Sequence, residues 1–260
     1  MPLTMDQAVE VFARGFSFTR SYTHPYPAQR VDGLWQLRDE PRDAPRREEF
    51  ISHGLTPEAV HQTAQARSDG RYCISLIRSS DESAGPIIAA FKALGYRYGS
   101  SELMMANVLT EIPDAVEPFP VTQVTTLVQA ERLAKAARAR QILPHHLTDT
   151  ASGVRQYMAA DGDRPVGWLR SVVVADHTWC TNVFVVPAYR RKGIARAMLV
   201  RMLRDDLAAG SNASVLTASR AGSQLYPTVG YRTIGELLFF TPPRVPASLR
   251  PALGATSERS

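Results

Sequence analysis

Between residues 126 and 138 (TLVQAERLAKAAR), the apolar residues Leu127, Ala130, Leu133, Ala134 and Ala137 fall on one face, and Thr126 precedes Gln129 in a capping-box pattern. That spacing predicts a helix. A second stripe of Ile194, Met198, Leu199, Met202, Leu203 and Leu207 predicts another. Residues 154–160 and 166–174 instead read as strands, joined around Asp161-Gly162-Asp163, a hairpin signal. Residues 121–125, 179–186 (WCTNVFVV), 215–218 and 231–240 read as further strands, and 221–228 as a short helix stopped by Gly230. The second half of the chain is therefore read as antiparallel hairpins followed by strand, helix, strand.

The first half gives a looser mixture. Residues 34–37 predict a short strand, and 56–67 (TPEAVHQTAQAR) a helix opened by Thr56 with Pro57 at its first position. Residues 71–77 (RYCISLI) predict a buried strand, 87–94 (IIAAFKAL) a helix stopped by Gly95, and 103–108 a strand. Three stretches break the pattern. Residues 39–47 (DEPRDAPRR) read as a loop, and 110–120 (TEIPDAVEPFP) as a linker between two folded halves. Beyond Phe240, Pro, Ser and Arg replace periodic apolar residues, which predicts a mobile tail. The expected fold class is mixed α/β in two lobes, 1–118 and 119–241, with a tail at 242–260.

Composition narrows the function classes. The chain has 260 residues, 44% of them apolar and 21% charged, enough for a real core and too apolar for general disorder. No run approaches the roughly 18 uninterrupted apolar residues of a membrane span, and Asp6, Glu10 and Arg14 interrupt the N-terminal segment where a secretory signal would be apolar. Cys73 and Cys180 form no CxxC or Cys/His cluster, which disfavours a disulfide framework and a zinc site. A cytoplasmic protein without metal or membrane partner is expected. The net charge of +5 comes from 30 basic against 25 acidic residues. Its arginines are scattered, with pairs at Arg46-Arg47 and Arg190-Arg191, which favours a solvated surface over a nucleic-acid stripe.

The chemistry concentrates at residues 183–199 (VFVVPAYRRKGIARAML), where an apolar strand ends at Pro187, a basic turn follows, and Gly193 opens the amphipathic helix. First-turn amides of a helix lack internal partners and lie at the positive end of its dipole, so they suit an anion. Arg190, Arg191, Lys192 and Arg196 add positive charge, Gly193 permits close backbone approach, and Ala195 keeps the entry open. Neither GxxxxGK[ST] nor GxGxxG occurs here.

Arg190-x-x-Gly193-x-Ala195 instead resembles the [QR]-x-x-G-x-[GA] motif of the GNAT superfamily of acyl-CoA-dependent N-acyltransferases. Ser219, Gly222, Tyr226, Gly230 and Tyr231 stand at the offsets of the family's N-x-x-A-x-x-x-Y-x-x-x-G-F, with three conservative departures, and Val166-Gly167-Trp168 resembles the start of its third strand. The resemblance covers about residues 119–241 and implies a GNAT fold. It implies that the strand around Phe184, Val185 and Val186 splays from its neighbour and binds pantetheine. Backbone amides of Arg191, Lys192, Gly193, Ile194, Ala195 and Arg196 would then hold the pyrophosphate of acetyl-CoA, the expected co-substrate. Ser219 and Gly222 belong to the cofactor side by the same resemblance. A backbone amide near Val185 would stabilise the oxyanion, and Tyr226 would protonate the departing thiolate; the alternative for Tyr226 is packing beside Leu225 and Pro227.

The general base has no motif. Asp176 and His177 could serve, or be plain turn residues; His145 and His146 could line the acceptor side, or be exposed. Cys180 would alternate with Asn182 and Phe184 on a face that the sequence does not assign. Residues 87–105 resemble the close of a second GNAT unit, but acids in 79–85 (SSDESAG) stand where phosphate would bind, which implies a shortened, cofactor-free lobe that walls the acceptor cleft. The expected activity is transfer of an acetyl group to a primary amine of a small molecule or peptide. A non-catalytic acyl-CoA-binding module is the alternative, a nucleic-acid binder is a third, weaker reading, and a homodimer is allowed.

Overall fold

Among the described residues, eleven strands form one continuous sheet through both halves of the chain. The computed structural model describes residues 3–20, 26–39, 47–68, 71–149 and 152–242. In chain order the elements are α1 (Met5–Arg20), β1 (Ala28–Val31), β2 (Leu34–Arg38), β3 (Arg47–His53), α2 (Pro57–Arg67), β4 (Arg71–Ser79), α3 (Ala84–Ala93) and β5 (Arg97–Val108). The second half continues with β6 (Val121–Gln123), α4 (Leu127–Ala137), α5 (Pro144–Thr148), β7 (Val154–Asp161), β8 (Arg164–Val174), β9 (His177–Val185), α6 (Ile194–Ala208), β10 (Ala213–Ala218) and β11 (Arg232–Thr241).

Local chemistry accounts for several of these elements. Thr126 and Gln129 close a reciprocal capping box on α4, and the Thr56 hydroxyl accepts from the Ala59 amide at the start of α2. Gly162, with φ of 54°, turns the β7–β8 hairpin, in which Asp161 pairs with Arg164. The predicted helix at 221–228 is instead a set of turns followed by a 3-10 helix at Tyr226–Val229: Pro227 removes an amide and Gly230 is left-handed. The predicted loop at 39–47 ends in β3 at Arg47, and residues 40–46 and the tail from 243 lie outside the described residues. The linker at 110–120 contains neither helix nor strand.

The strand order is β1-β2-β3-β4-β11-β5-β10-β9-β8-β7-β6, so strands of the two halves interleave. β11 runs antiparallel between β4 and β5, and β5 in turn pairs with β10. Neighbouring residues point to opposite faces: Leu237 belongs to the apolar cluster that α1 and α4 cover, whereas Leu238 and Phe240 belong to the one beneath α2 and α3. Met104 and Met105 divide likewise between the α1–α4 face and the α6 face. Helices α2, α3 and α6 therefore cover one side and α1 and α4 the other. Helix α1 crosses from its own half onto β8, β9 and β10, with Phe12 5.2 Å from the Trp179 ring. Gly15 makes that approach feasible, since a Cβ there would lie 2.4 Å from Trp179 Cβ.

Candidate active site

β9 and β10 are parallel and pair only at His177–Ala213, Thr178–Ser214 and Trp179–Val215. Beyond Trp179 the strands part: β9 stays with β8 as far as Val185, while β10 follows β5 to Ala218. The result is a wedge between two strands of the same sheet, with the edge of β9 from Cys180 to Val185 on one wall.

A bulge shapes that wall. Trp168 pairs with Phe184 and Arg170 with Thr181, so β9 carries one extra residue, and Asn182 has a left-handed φ of 59°. The extra residue reverses the alternation. Cys180, Val183 and Val185 face α6, while Phe184 turns to the opposite side and stacks on Trp168 at 4.5 Å. Cys180 therefore does not share a face with Phe184, as regular alternation would have it. The Val186 amide donates to the Val166 carbonyl at 2.9 Å, so the alternation of the ladder turns the Val185 amide towards the wedge.

A buried polar relay lies under the bulge, and nothing in the sequence pattern marked it. Gln156 Nε2 donates to the Leu169 carbonyl at 2.7 Å, and Arg170 Nε donates to Gln156 Oε1 at 3.1 Å. Another Arg170 nitrogen donates to the Gln141 carbonyl, and Asn182 donates to the Gln141 side chain. A polar run across β7, β8 and β9 is legible only once the strands are in register.

The turn after β9 is a short 3-10 helix at Pro187–Tyr189. Arg190 Nε donates to the Val185 carbonyl at 3.1 Å, so this motif arginine ties the turn to the end of the strand. Tyr189 OH donates to Asp161 at 2.8 Å, with the Lys192 ammonium 5.1 Å from its ring. Arg191 and Gly193 are left-handed, at φ 65° and 81°, and they curl the backbone into the start of α6. Among the described residues no side chain caps that helix, and its first internal bond runs from Ala197 to the Gly193 carbonyl, leaving the Ile194, Ala195 and Arg196 amides free of helical partners. Gly193 is required by its φ, since a Cβ there would meet nothing within 4 Å. Gly167 has a packing role: a Cβ would lie 2.9 Å from Met198 and 3.1 Å from Ile194, so its absence seats α6 on β8.

On the α6 side of the wedge, the Ser219 hydroxyl accepts from the Gly222 amide at 3.2 Å and starts the turn that leads to Tyr226. Tyr226 is buried in the cluster that holds Cys180, with Tyr231 5.8 Å away edge-on. Among the described residues no hydrogen bond reaches its hydroxyl. Burial, with smaller contributions from Cys180 and Glu102, pushes its phenol above the ordinary value of 10, so it carries its proton at neutral pH.

The other titratable candidates do not gather there. Asp176 and His177 stand where β9 starts, at the far end from Val185; an Asn212 hydrogen bond at 2.7 Å holds the Asp176 carboxyl below its usual range. His145 and His146 lie on α5, where burial lowers the His146 imidazole and its ring sits 5.2 Å from Phe18. Cys180 is buried, which pushes its thiol up. Two acids not foreseen do border the region: Glu102 on β5, and Glu236 on β11, which pairs with Arg78 at 2.5 Å and Arg220 at 3.1 Å. A surface cavity of about 500 Å³ lies elsewhere, between α1 and the Val172–Ala175 end of β8.

In the first half, β3–α2–β4 repeats the parallel strand–helix–strand arrangement of β9–α6–β10. There β3 and β4 pair over the whole of Arg47–His53 and no wedge opens. The turn equivalent to 186–193 is the one at Gly54–Thr56, not 79–85, and Thr56 and Pro57 already occupy its helix start.

None of the described helices is long and apolar enough to cross a membrane. No curated protein matches the chain by sequence. Residues 152–233 match the family model for the acetyltransferase (GNAT) domain. Among solved structures, a GCN5-related N-acetyltransferase from Kribbella flavida superposes with a TM-score of 0.64 at 14% identity, over 93% of this chain and 97% of that one. A GCN5-related N-acetyltransferase from Sphaerobacter thermophilus gives 0.54 at 16% identity, over 80% and 76%. A tandem GNAT protein from the clavulanic acid biosynthesis pathway gives 0.53 at 11% identity, over 95% and 98%. At such identities the likeness is one of fold. The chain is built on the fold of these GNAT proteins, and its residues 152–233 resemble the GNAT acetyltransferase domain.

Proposed function

We propose that the chain transfers an acetyl group from acetyl-CoA to a primary amine of a small molecule or peptide, by direct attack in a ternary complex. The observation that carries this reading is the parting of β9 from β10 beside an uncapped helix start. In this reading the catalytic lobe spans 119–241 and lobe 1–118 binds no cofactor, consistent with its closed β3–β4 pair.

The open edge of β9 around Phe184, Val185 and Val186 lies along the pantetheine arm, with the Val185 amide as the inward donor. The free amides at the start of α6 take the pyrophosphate, with Arg191, Lys192 and Arg196 supplying charge. Arg190 acts by holding the strand end. Ser219 and Gly222 shape the turn beside the thiol end of the cofactor.

The amine nitrogen attacks the thioester carbonyl carbon, and the Val185 amide stabilises the resulting oxyanion. On collapse the carbon–sulfur bond breaks and the CoA sulfur takes the Tyr226 proton. The proton lost by the amine passes to solvent or to a carboxylate at the cleft, and the phenolate recovers its own from solvent.

Titration calorimetry with acetyl-CoA, followed by thiol-release assays over an amine panel, tests the reading. Wild type is expected to bind and to release CoA. Gly193→Glu, which places a carboxylate beside the pyrophosphate and a side chain at a left-handed position, is expected to bind at least ten-fold more weakly. Failure of wild type to bind acetyl-CoA overturns the proposal; binding without release by any amine, unchanged in Tyr226→Phe, leaves only an acyl-CoA-binding module.

A further inference from the structure

We propose that the acceptor is an extended peptide with a free amine, which adds itself as a short strand to the open edge of β5 at residues 97–102. This rests on the acetyl-transfer reading above and narrows its acceptor to one class.

β11 pairs with β5 along its length from Arg97, but β10 pairs only from Leu103 to Val108. The edge of β5 that faces the wedge is therefore bare over residues 97–102, and among the described residues no other hydrogen bond reaches its backbone. A bare edge presents alternate amides and carbonyls, a template for one more strand. Natural sheets guard such edges with lysine, proline or a bulge. Residues 97–102 (RYGSSE) contain no lysine or proline, and Gly99 and Ser100 in the middle are exposed. The stretch does carry one bulge, at Gly99, where Phe239 pairs with Ser100 and Phe240 with Tyr98, so the bare backbone is regular on either side of Gly99 rather than through it.

Position gives this edge a role. β10 stops at Ala218, so an added strand about 4.8 Å from β5 would continue in line with β10 along the wall of the wedge opposite β9. Its inner end would abut Ala218 and the turn at Ser219 that leads to Tyr226. Glu102 stands at that inner end of the bare stretch, next to Leu103, the partner of Ala218, and it bears electrostatically on Tyr226. A carboxylate there suits an arriving ammonium group. Residues 97–102 span about 20 Å at roughly 3.4 Å per residue, room for a peptide of about six residues with its amine leading. A small amine without a peptide backbone would leave those edge groups unused.

A pool of random hexapeptides with free N-termini, incubated with the full chain and acetyl-CoA and read by mass spectrometry, identifies an acetylated sequence. Methylating the backbone nitrogens of that peptide one at a time then reads the pairing directly. We expect kcat/KM to fall about ten-fold at alternate positions and to hold between them, with the alternation shifted by one residue opposite the Gly99 bulge. Hydrogen exchange is expected to slow at residues 97–102 when the peptide and CoA are both present. Glu102→Gln is expected to raise the KM for the peptide while acetyl-CoA binding stays unchanged. An even response to methylation, acetylation of simple alkylamines as efficient as that of peptides, or no acetylated peptide from a chain that binds acetyl-CoA overturns the peptide acceptor and leaves the transferase reading standing. Loss of acetyl-CoA binding in the unaltered chain would remove both.

Discussion

Replacing Gly15 by alanine sets two effects of known size against each other. Within a helix, Gly→Ala gains about 1 kcal/mol from reduced backbone entropy. At Gly15 the new methyl would lie 2.4 Å from Trp179 Cβ and Cγ and 2.6 Å from Cδ1. Those atoms sit next to the β9 backbone, and Trp179 is only 3% exposed with Phe12 against it, so no rotamer change relieves the overlap. Overpacking of this kind costs about 1–3 kcal/mol, and attachment close to the backbone puts Gly15 near the top of that range. The expected net loss is about 2 kcal/mol, equivalent to a fall in Tm of about 4–8 °C for a chain of this size. Urea unfolding followed by both tryptophan fluorescence and far-ultraviolet circular dichroism measures it. A Gly15→Ala protein as stable as wild type, or more stable, would refute the close seating of α1 on β9.

Two further outcomes follow from the site and its surroundings. Tyr226→Phe is expected to lower kcat about 100-fold with acetyl-CoA affinity retained, as removal of a general acid does; because burial keeps the phenol protonated past pH 10, wild type should show no alkaline loss of rate from this group below that point, and an unchanged kcat in the variant would dismiss its role. Burial pushes the Glu236 carboxyl up, but hydrogen bonds from Ser101 and Arg78 and the charges of Arg78 and Arg220 outweigh it and hold the group below its usual range. Its stabilisation is therefore present above the ordinary carboxylate pKa and is lost as pH falls through the folded value, so Glu236→Gln should flatten the acid limb of stability in urea melts at pH 3–7.

Elements defined by neighbours in sequence were legible, and those defined by distant partners were not. The capping box at Thr126, the Thr56-Pro57 helix start and the Gly162 turn each need only a few adjacent residues. Helix α1 was missed although Ala8, Val9, Val11 and Phe12 do form one apolar face; what its sequence does not show is where that face packs, which includes strands more than 100 residues away. β3 escaped because Arg47, Glu48 and Glu49 read as loop, although Glu48 is buried against Arg38 at 2.9 Å. At the candidate site, the motif marked the turn after β9, and its second part singled out Tyr226 as the proposed acid. The bulge at Asn182, which decides where Cys180 and Phe184 point, leaves no trace in a sequence of alternating residues. Nor does the relay from Gln156 through Arg170, because its members meet only when three strands are in register.

The place of β11 between β4 and β5 dictates the order in which the protein can be completed. As the chain leaves the ribosome, the first half emerges with a gap in its sheet that only residues 232–241 can fill, and Arg78 must wait for Glu236, 158 positions later. Until then two strand edges stand exposed, a hazard for aggregation that co-translational holding by chaperones would relieve. A fragment ending before Arg232 would retain that hazard permanently, so neither half is a unit that can be cut out and expected to fold alone.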